Sequence, residues 1–178
     1  LVHKTEVGAV RLDLQGKDQA KQAAEEMLKR LESAGIKGVS FILQPMAPPG
    51  IEMLVGVTHD LVFGPIVVCS AGGVLVELLK DVSVRITPLT GRDAKEIIQS
   101  LKTYPLLSGY RGGPRYDIET LENVILQVGA LVEDIHEIDE LDLNPVIVLP
   151  QGEGVAIVDA RIRVAEALPP LPFGAKKR

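Results

Sequence analysis

Two β-branched runs, Val146-Ile147-Val148-Leu149 and Val155-Ala156-Ile157-Val158, flank the turn-rich spacer Pro150-Gln151-Gly152-Glu153-Gly154. No other stretch constrains the fold as strongly, because two such runs around such a spacer read as a β-hairpin. Closing the hairpin brings Asn144 opposite or nearly opposite Asp159. Strand side chains alternate between faces, so Glu140, Asp142 and Asn144 share one side if the strand extends back that far. Oxygen-bearing side chains then converge. Mg²⁺ prefers hard oxygen ligands and is commonly held by one or two protein groups plus phosphates, which an Asn carbonyl and an Asp carboxylate can supply. From spacing alone the plainer reading stands ahead: Asn144-Pro145 starts a turn and Asp159 ends a strand.

The net charge of −5 disfavours nonspecific binding to nucleic acid, and 3% aromatic residues with no Trp leaves little for base stacking. The single Cys69 excludes an internal disulfide framework and fits a reducing compartment, so the cytoplasm is expected and a buried, inert thiol is the expected state. The longest uncharged stretch, residues 61–76, is shorter than a bilayer requires and is interrupted by Pro65 and glycines. No membrane partner is expected. The chain starts at Leu1 rather than Met, and a fragment of a longer polypeptide is expected.

Along the chain, residues 7–14 and 39–46 read as strands. Between them, Ala20, Ala23, Ala24, Met27, Leu28 and Leu31 form one helical stripe that ends at Gly35. Pro48-Pro49-Gly50 breaks the chain before strands at 51–58 and 66–70. Residues 74–86 read as a loop with short strands, on which Glu77, Lys80 and Asp81 decorate a solvated face. Thr90 with Asp93 three residues on resembles a capped helix start, with the helix running to about Lys102. Asp117 opens the most regular helix, with Leu121, Val124, Ile125, Val128, Leu131 and Val132 at core spacing. Strands mixed with helices and joined partly by hairpins make an α+β class. After Ala167, a Pro-rich and basic segment reads as a linker or tail.

Several pieces in order resemble one family. They are His3-Lys4-Thr5-Glu6-Val7-Gly8, Gln44-Pro45-Met46, Gly50-Ile51-Glu52-Met53-Leu54-Val55-Gly56-Val57, Phe63-Gly64-Pro65, Gly72-Gly73-Val74-Leu75-Val76-Glu77, Gly109-Tyr110-Arg111-Gly112, and Leu141-Asp142-Leu143-Asn144-Pro145 with Asp159-Ala160-Arg161. Together they resemble the ATP-grasp domain of ADP-forming acyl-CoA synthetases, related to the β subunit of succinyl-CoA synthetase. The resemblance implies an ATP-grasp fold, with residues 1–47 the remainder of a first lobe, 48–165 a second lobe and 166–178 a tail. It also implies ATP or ADP with Mg²⁺, and phosphate passing through a phosphohistidine between nucleotide and acyl chemistry. Partners follow: CoA-binding and ligase domains on the same chain or on another subunit, an acyl-CoA or carboxylic acid, and an oligomeric assembly.

Carried over by position, Asn144 and Asp159 match the Mg²⁺ ligands, and Glu52 matches an acidic residue at the nucleotide. The segment from Gln44 to Met46 matches a hinge that meets adenine through backbone groups. Asp142 matches a carboxylate that orients the travelling phosphohistidine, and His3 matches a histidine that itself takes phosphate. Two departures stand out: Gly8-Ala9 where the family has two glycines, and Ser70-Ala71-Gly72-Gly73 where it has Gly-x-Gly-Gly. The family's upstream segment carries a Lys that grips ATP phosphates, so the isolated chain is expected to be nearly inactive. A regulatory alternative also remains, a ligand-binding synthetase-like domain of a protein lysine acetyltransferase.

Read as residues alone, the candidates keep plainer alternatives. His3 fits a phosphoryl acceptor and equally an exposed terminal residue. His59 and His136 are expected at the surface. Glu52, among apolar neighbours, must meet a cation, a ribose or water. Gly72-Gly73 suits either a phosphate-facing loop or a simple turn. Arg85 and Arg111 suit oxyanions or ordinary salt bridges.

Overall fold

The β-branched runs become one antiparallel sheet in the computed structural model, which describes residues 8–73 and 80–166. The strands are β1 (Ile51–Asp60), β2 (Gly64–Ala71), β3 (Val82–Ile86), β4 (Ile138–Val148), β5 (Val155–Ile157) and β6 (Ala160–Val164). Their order is β3-β2-β1-β4-β5, and β6 continues along the same edge of β4 as β5. Helix α2 (Gly91–Gln99) and the long α4 (Ile118–Asp134) bury their apolar stripes with one face of this sheet. Met53, Val55, Val57, Val67, Cys69, Leu141, Leu143, Val146 and Val148 enter the same core as Ile97, Ile98, Leu121, Ile125 and Val132. Each large side chain fully buried there contributes roughly 1.5–3 kcal/mol relative to exposure.

Local chemistry fixes the helix starts. Thr90 and Asp93 form a capping box: the Thr90 hydroxyl accepts from the Asp93 amide and the Asp93 carboxylate accepts from the Thr90 amide. This helix ends at Gln99, earlier than the predicted Lys102, and a short α3 (Tyr104–Ser108) follows. Asp117 caps α4, its Oδ1 accepting from the Thr120 amide at 3.1 Å. Its Oδ2 accepts from the Gly152 and Gly154 amides at 3.1 and 2.9 Å, so one carboxylate ties the helix start to the β4–β5 turn. Burial pushes the Asp117 carboxyl up, but the hydrogen bonds from Thr120, Gly154 and Gly152 outweigh it and leave the group below its usual range.

The described residues divide after Met46 into two compact units. In the first, α1 (Gly16–Ser33) buries Ala23 and Leu31. It terminates where Gly35 takes φ +80°, with the Ile36 amide donating back to the Leu31 carbonyl at 2.9 Å. The predicted strands at 7–14 and 39–46 are not found: the described part of the first, and all of the second, lack strand pairing. An apolar or alternating segment is only permissive of a strand; a ladder partner makes one, and among the described residues neither segment has one. Ile42 and Leu43 accordingly stand 86% and 77% exposed.

A second correction concerns Asp81, which is buried and not on a solvated face. Its carboxylate accepts from the Lys102 and Thr103 amides, both at 2.8 Å, and from the Thr103 hydroxyl at 2.7 Å. Desolvation raises this carboxyl, and the Thr103 and Lys102 hydrogen bonds bring it below the ordinary value. Lys80 is exposed as expected, whereas Glu77 lies outside the described residues, as do residues 167–178 read as a tail.

One irregularity in β4 positions everything that follows. Met53 pairs with Val146 and Val55 with Leu143, so three steps on β4 match two on β1. The extra residue is a β-bulge at Asn144-Pro145, whose peptide bond is cis. It lets Leu141 and Leu143 before it and Val146 and Val148 after it all point into the core.

Candidate functional site

On the β5–β6 side of β4 the register runs unbroken through the bulge. Leu143 pairs with Ala160 and Val146 with Ile157, which leaves Asn144 directly opposite Asp159. The Asn144 amide donates to the Asp159 carbonyl at 3.2 Å, and the Val158 amide to the Pro145 carbonyl at 3.1 Å. The hairpin reading therefore holds, and the plainer reading of Asn144-Pro145 as a turn does not. β4 begins at Ile138, so Glu140, Asp142 and Asn144 all lie within it and face away from the helices.

The outward face then carries three opposed pairs: Asn144 with Asp159, Asp142 with Arg161, and Glu140 with Arg163. Directly opposed side chains on one face are near enough to interact. Arg163 is committed to acids, its Nη1 lying 2.7 Å from Asp139 and its Nη2 donating to Glu140 at 2.8 Å. Arg161 Nη2 donates to Asp159 Oδ2 at 3.4 Å. A cavity of about 230 Å³ opens along these rungs, lined by Glu140, Asp142, Arg161, Ile162 and Arg163. On the other side of β4, the residue opposite Asp142 is Gly56, so no side chain rises beside that carboxylate from β1.

Asp142 is the half-buried acid of the group. Burial pushes its carboxyl up, Arg161 pulls it down, and the Glu140 and Asp159 charges push it up again, so it lies above the usual carboxylate range. Among the described residues no set of three or more His, Cys, Asp or Glu is arranged to enclose a metal ion. The donor chemistry does suit Mg²⁺ of the kind shared with phosphates: two hard oxygens, the Asn144 carbonyl and the Asp159 carboxylate, directly opposed on an open face.

Glu52 lies on the same outward side at the start of β1, exposed. Its setting shows what the glycine pair packs against. The Gly72 amide donates to the Glu52 carbonyl at 2.7 Å, so that N–H is already used inside the protein. A Cβ on Gly72 would lie 2.7 Å from the Glu52 carbonyl carbon, and one on Gly73 would lie 2.7 Å from Glu52 Oε2. The pair lets the β2 end close against Glu52 and leaves room for its carboxylate.

The other candidates fall elsewhere. Gln44 and Met46 are exposed residues of the first unit, and His3 lies outside the described residues. Arg85 is on the helix side of the sheet, 3.9 Å from Glu96, and is an ordinary ion pair. Arg111 is exposed with its guanidinium 5.3 Å above the Tyr110 ring. His136 is exposed as expected, whereas His59 is half-buried, its Nδ1 3.0 Å from the Asp139 carbonyl oxygen. A larger cavity, about 640 Å³, opens beside the start of α4 near Tyr104, Arg115 and Asn123, and no predicted site residue lines it. Sequence reasoning did not single out Arg161 and Arg163. Their signal was the alternation of Ala160-Arg161-Ile162-Arg163-Val164, the mirror of Glu140-Leu141-Asp142-Leu143.

Residues 1–164 match a family model described as an ATP-grasp domain. The chain is 41% identical over 167 residues to the subunit beta of ADP-forming acetate–CoA ligase II of Pyrococcus furiosus, covering 91% of this chain and 70% of that one. It is also 41% identical over 170 residues to ADP-forming acetate–CoA ligase I of Archaeoglobus fulgidus, of which it spans 24%. Among solved structures, a dinucleotide-forming acetyl-coenzyme A synthetase 1 of Ca. Korarchaeum cryptofilum superposes with a TM-score of 0.79 at 38% identity, over 92% of this chain and 71% of that one. That structure holds coenzyme A and Mg-AMPPCP, with its phosphohistidine segment pointing towards the nucleotide site.

Proposed function

Because the chain belongs to the ATP-grasp family, in the branch with the beta subunits of ADP-forming acetate–CoA ligases, we propose that it is the nucleotide-handling part of such a ligase. The parent enzyme joins a carboxylic acid to CoA with ATP in the manner of the acetate–CoA ligases, or runs in reverse to make ATP, with the choice of acid set outside this chain. The observation that carries this reading is the directly opposed Asn144 and Asp159 with Asp142 on the next rung. CoA-binding and acyl chemistry belong to partner domains or a partner subunit, as the subunit and fused layouts of the relatives support. An oligomeric, cytoplasmic enzyme is part of the same reading, and no helix among the described residues is long and apolar enough to cross a membrane. Residues 1–47 are the remainder of the first lobe and 48–165 the second, a division supported by the separation after Met46.

Each residue then has a task. The Asn144 carbonyl and Asp159 carboxylate hold Mg²⁺, which when bound neutralises charge on the nucleotide phosphates. Glu52 meets the nucleotide from the β1 start, and backbone groups of the Gln44 to Met46 segment meet the adenine. Asp142 accepts a hydrogen bond from the imidazole of the arriving phosphohistidine and fixes which nitrogen faces the phosphates. His3 accepts phosphate in its turn, a step open to a neutral imidazole. Phosphoryl transfer depends chiefly on such positioning and charge compensation. No observation favours the regulatory alternative.

The test uses the chain with its partner domains, supplied with acetyl-CoA, phosphate and Mg-ADP, and follows ATP. Wild type is expected to make ATP. Asp159→Asn should raise the Mg²⁺ requirement, and Asp142→Asn should lower kcat with nucleotide affinity retained. A wild type that binds Mg-ADP but makes no ATP across a panel of acyl-CoAs would refute the proposal.

A further inference from the structure

Arg161 stands directly opposite Asp142 and two residues from Asp159 on the same face. Its guanidinium is on Asp159, at 3.4 Å, with the two side chains 52% and 35% exposed. The neighbouring cation is already taken, since Arg163 bridges Asp139 and Glu140. A guanidinium cannot discharge itself by losing a proton. A divalent cation arriving at Asp159 therefore meets a fixed positive charge on the same carboxylate, and the two compete. Directly across the ladder from Arg161 stands a second acid, the half-buried Asp142, whereas the diagonal Glu140 is already held by Arg163.

Resting on the reading that Mg²⁺ binds at Asn144 and Asp159, we propose that Arg161 is a positioning residue that exchanges between two carboxylates. Without metal it is the counter-ion that holds Asp159. With metal it is displaced onto Asp142 and clamps that carboxylate in the orientation that receives the phosphohistidine. Metal occupancy on one rung is thereby conveyed to the orienting group on the next. Arg161 also makes empty-site metal binding weaker than its two oxygen ligands alone would give, which favours metal that arrives with its nucleotide.

The test is titration of the 178-residue chain with Mn²⁺ alone, followed by its paramagnetic signal and by calorimetry. Wild type is compared with Arg161→Ala, Arg161→Gln, Arg161→Lys and Asp159→Asn. Arg161→Ala and Arg161→Gln are expected to tighten Mn²⁺ binding about two- to fivefold, the size of an exposed ion pair. Arg161→Lys should stay near wild type, because the charge is kept. A purely structural Arg161 would leave affinity unchanged or weakened. If Asp159→Asn weakens Mn²⁺ binding while neither neutral variant tightens it, the exchange is wrong and the metal site stands. A lysine variant that binds as tightly as alanine also overturns it. If Asp159→Asn binds Mn²⁺ as wild type does, the metal is not at Asp159 and both readings fall.

Discussion

Replacing Gly72 by Ala tests whether the glycine pair exists to seat Glu52. The new Cβ would lie 2.7 Å from the Glu52 carbonyl carbon and 2.8 Å from both its Cβ and its carbonyl oxygen. None of these atoms can swing aside by rotating a side chain. The β1 start must retreat by more than half an ångström, against a hydrogen bond that holds the two strands at 2.7 Å. Overpacking of this kind costs about 1–3 kcal/mol, and the stiffer unfolded chain of an alanine returns about 0.4–1 kcal/mol. The net loss is about 1–2 kcal/mol, or roughly 2–8 °C in Tm for a chain of this length. Calorimetry measures that loss, and on the proposed role of Glu52 at the nucleotide, titration with Mg-ATP should read its displacement as weaker binding. Gly91→Ala is the control: it has open space around it and an ordinary φ, so it should be neutral or slightly stabilising. A Gly72→Ala protein that melts within 1 °C of wild type and binds nucleotide equally (thresholds about the reproducibility of a scan) would show that this close approach does not exist.

Asp117→Ala removes the acceptor for three amides and should cost about 2 kcal/mol or more in urea unfolding. Asp81 and Asp117 both have folded carboxyls held below their ordinary range. The stability they add is fully present above the unfolded value near about 4 and is lost as pH falls through the folded one. Urea midpoints should therefore drop below roughly pH 4, and less steeply in Asp117→Asn than in wild type. Burial first, and then the Asp81 charge, push the Cys69 thiol up to about 12. The native protein should resist a thiol reagent at neutral pH and react promptly in denaturant; prompt native labelling would show an open β2.

The hairpin was legible because its runs are β-branched and its spacer is rich in turn residues, and closing it set Asn144 opposite or nearly opposite Asp159; spacing alone still put the turn reading ahead, and nothing in it showed the bulge. The helix starts at Thr90 and Asp117 were legible for a local reason, since a cap is written in three or four adjacent residues. What failed was whatever depended on a distant partner. Residues 39–46 are apolar enough for a strand, but nothing within the segment says whether an edge is there to receive it. Asp81 looked solvated because the amides that surround it belong to Lys102 and Thr103, some twenty residues later. Arg161 was visible only as a motif letter, because its meaning lies in what stands across the ladder. His3 and the tail remain expectations of the sequence, lying outside the described residues.

The bulge at Asn144-Pro145 makes the site sensitive to a change of length more than to a change of chemistry. Deleting Pro145 alone would remove no ligand and no charge. It would set Leu143 and Val146 two residues apart, so plain alternation would still carry both into the core and the bulge against β1 would vanish. The cost falls on the other edge, where Asn144 and Pro145 now match Asp159 and Val158 one to one. With one residue gone, Asn144 alone would oppose both Val158 and Asp159, and the rung would lose its register. The deletion should therefore spare the core and disrupt the rung, whereas Pro145→Ala, which keeps the count, should leave the rung in place. The supernumerary residue in β4 serves the pairing with β5 and β6 and not the burial of the strand.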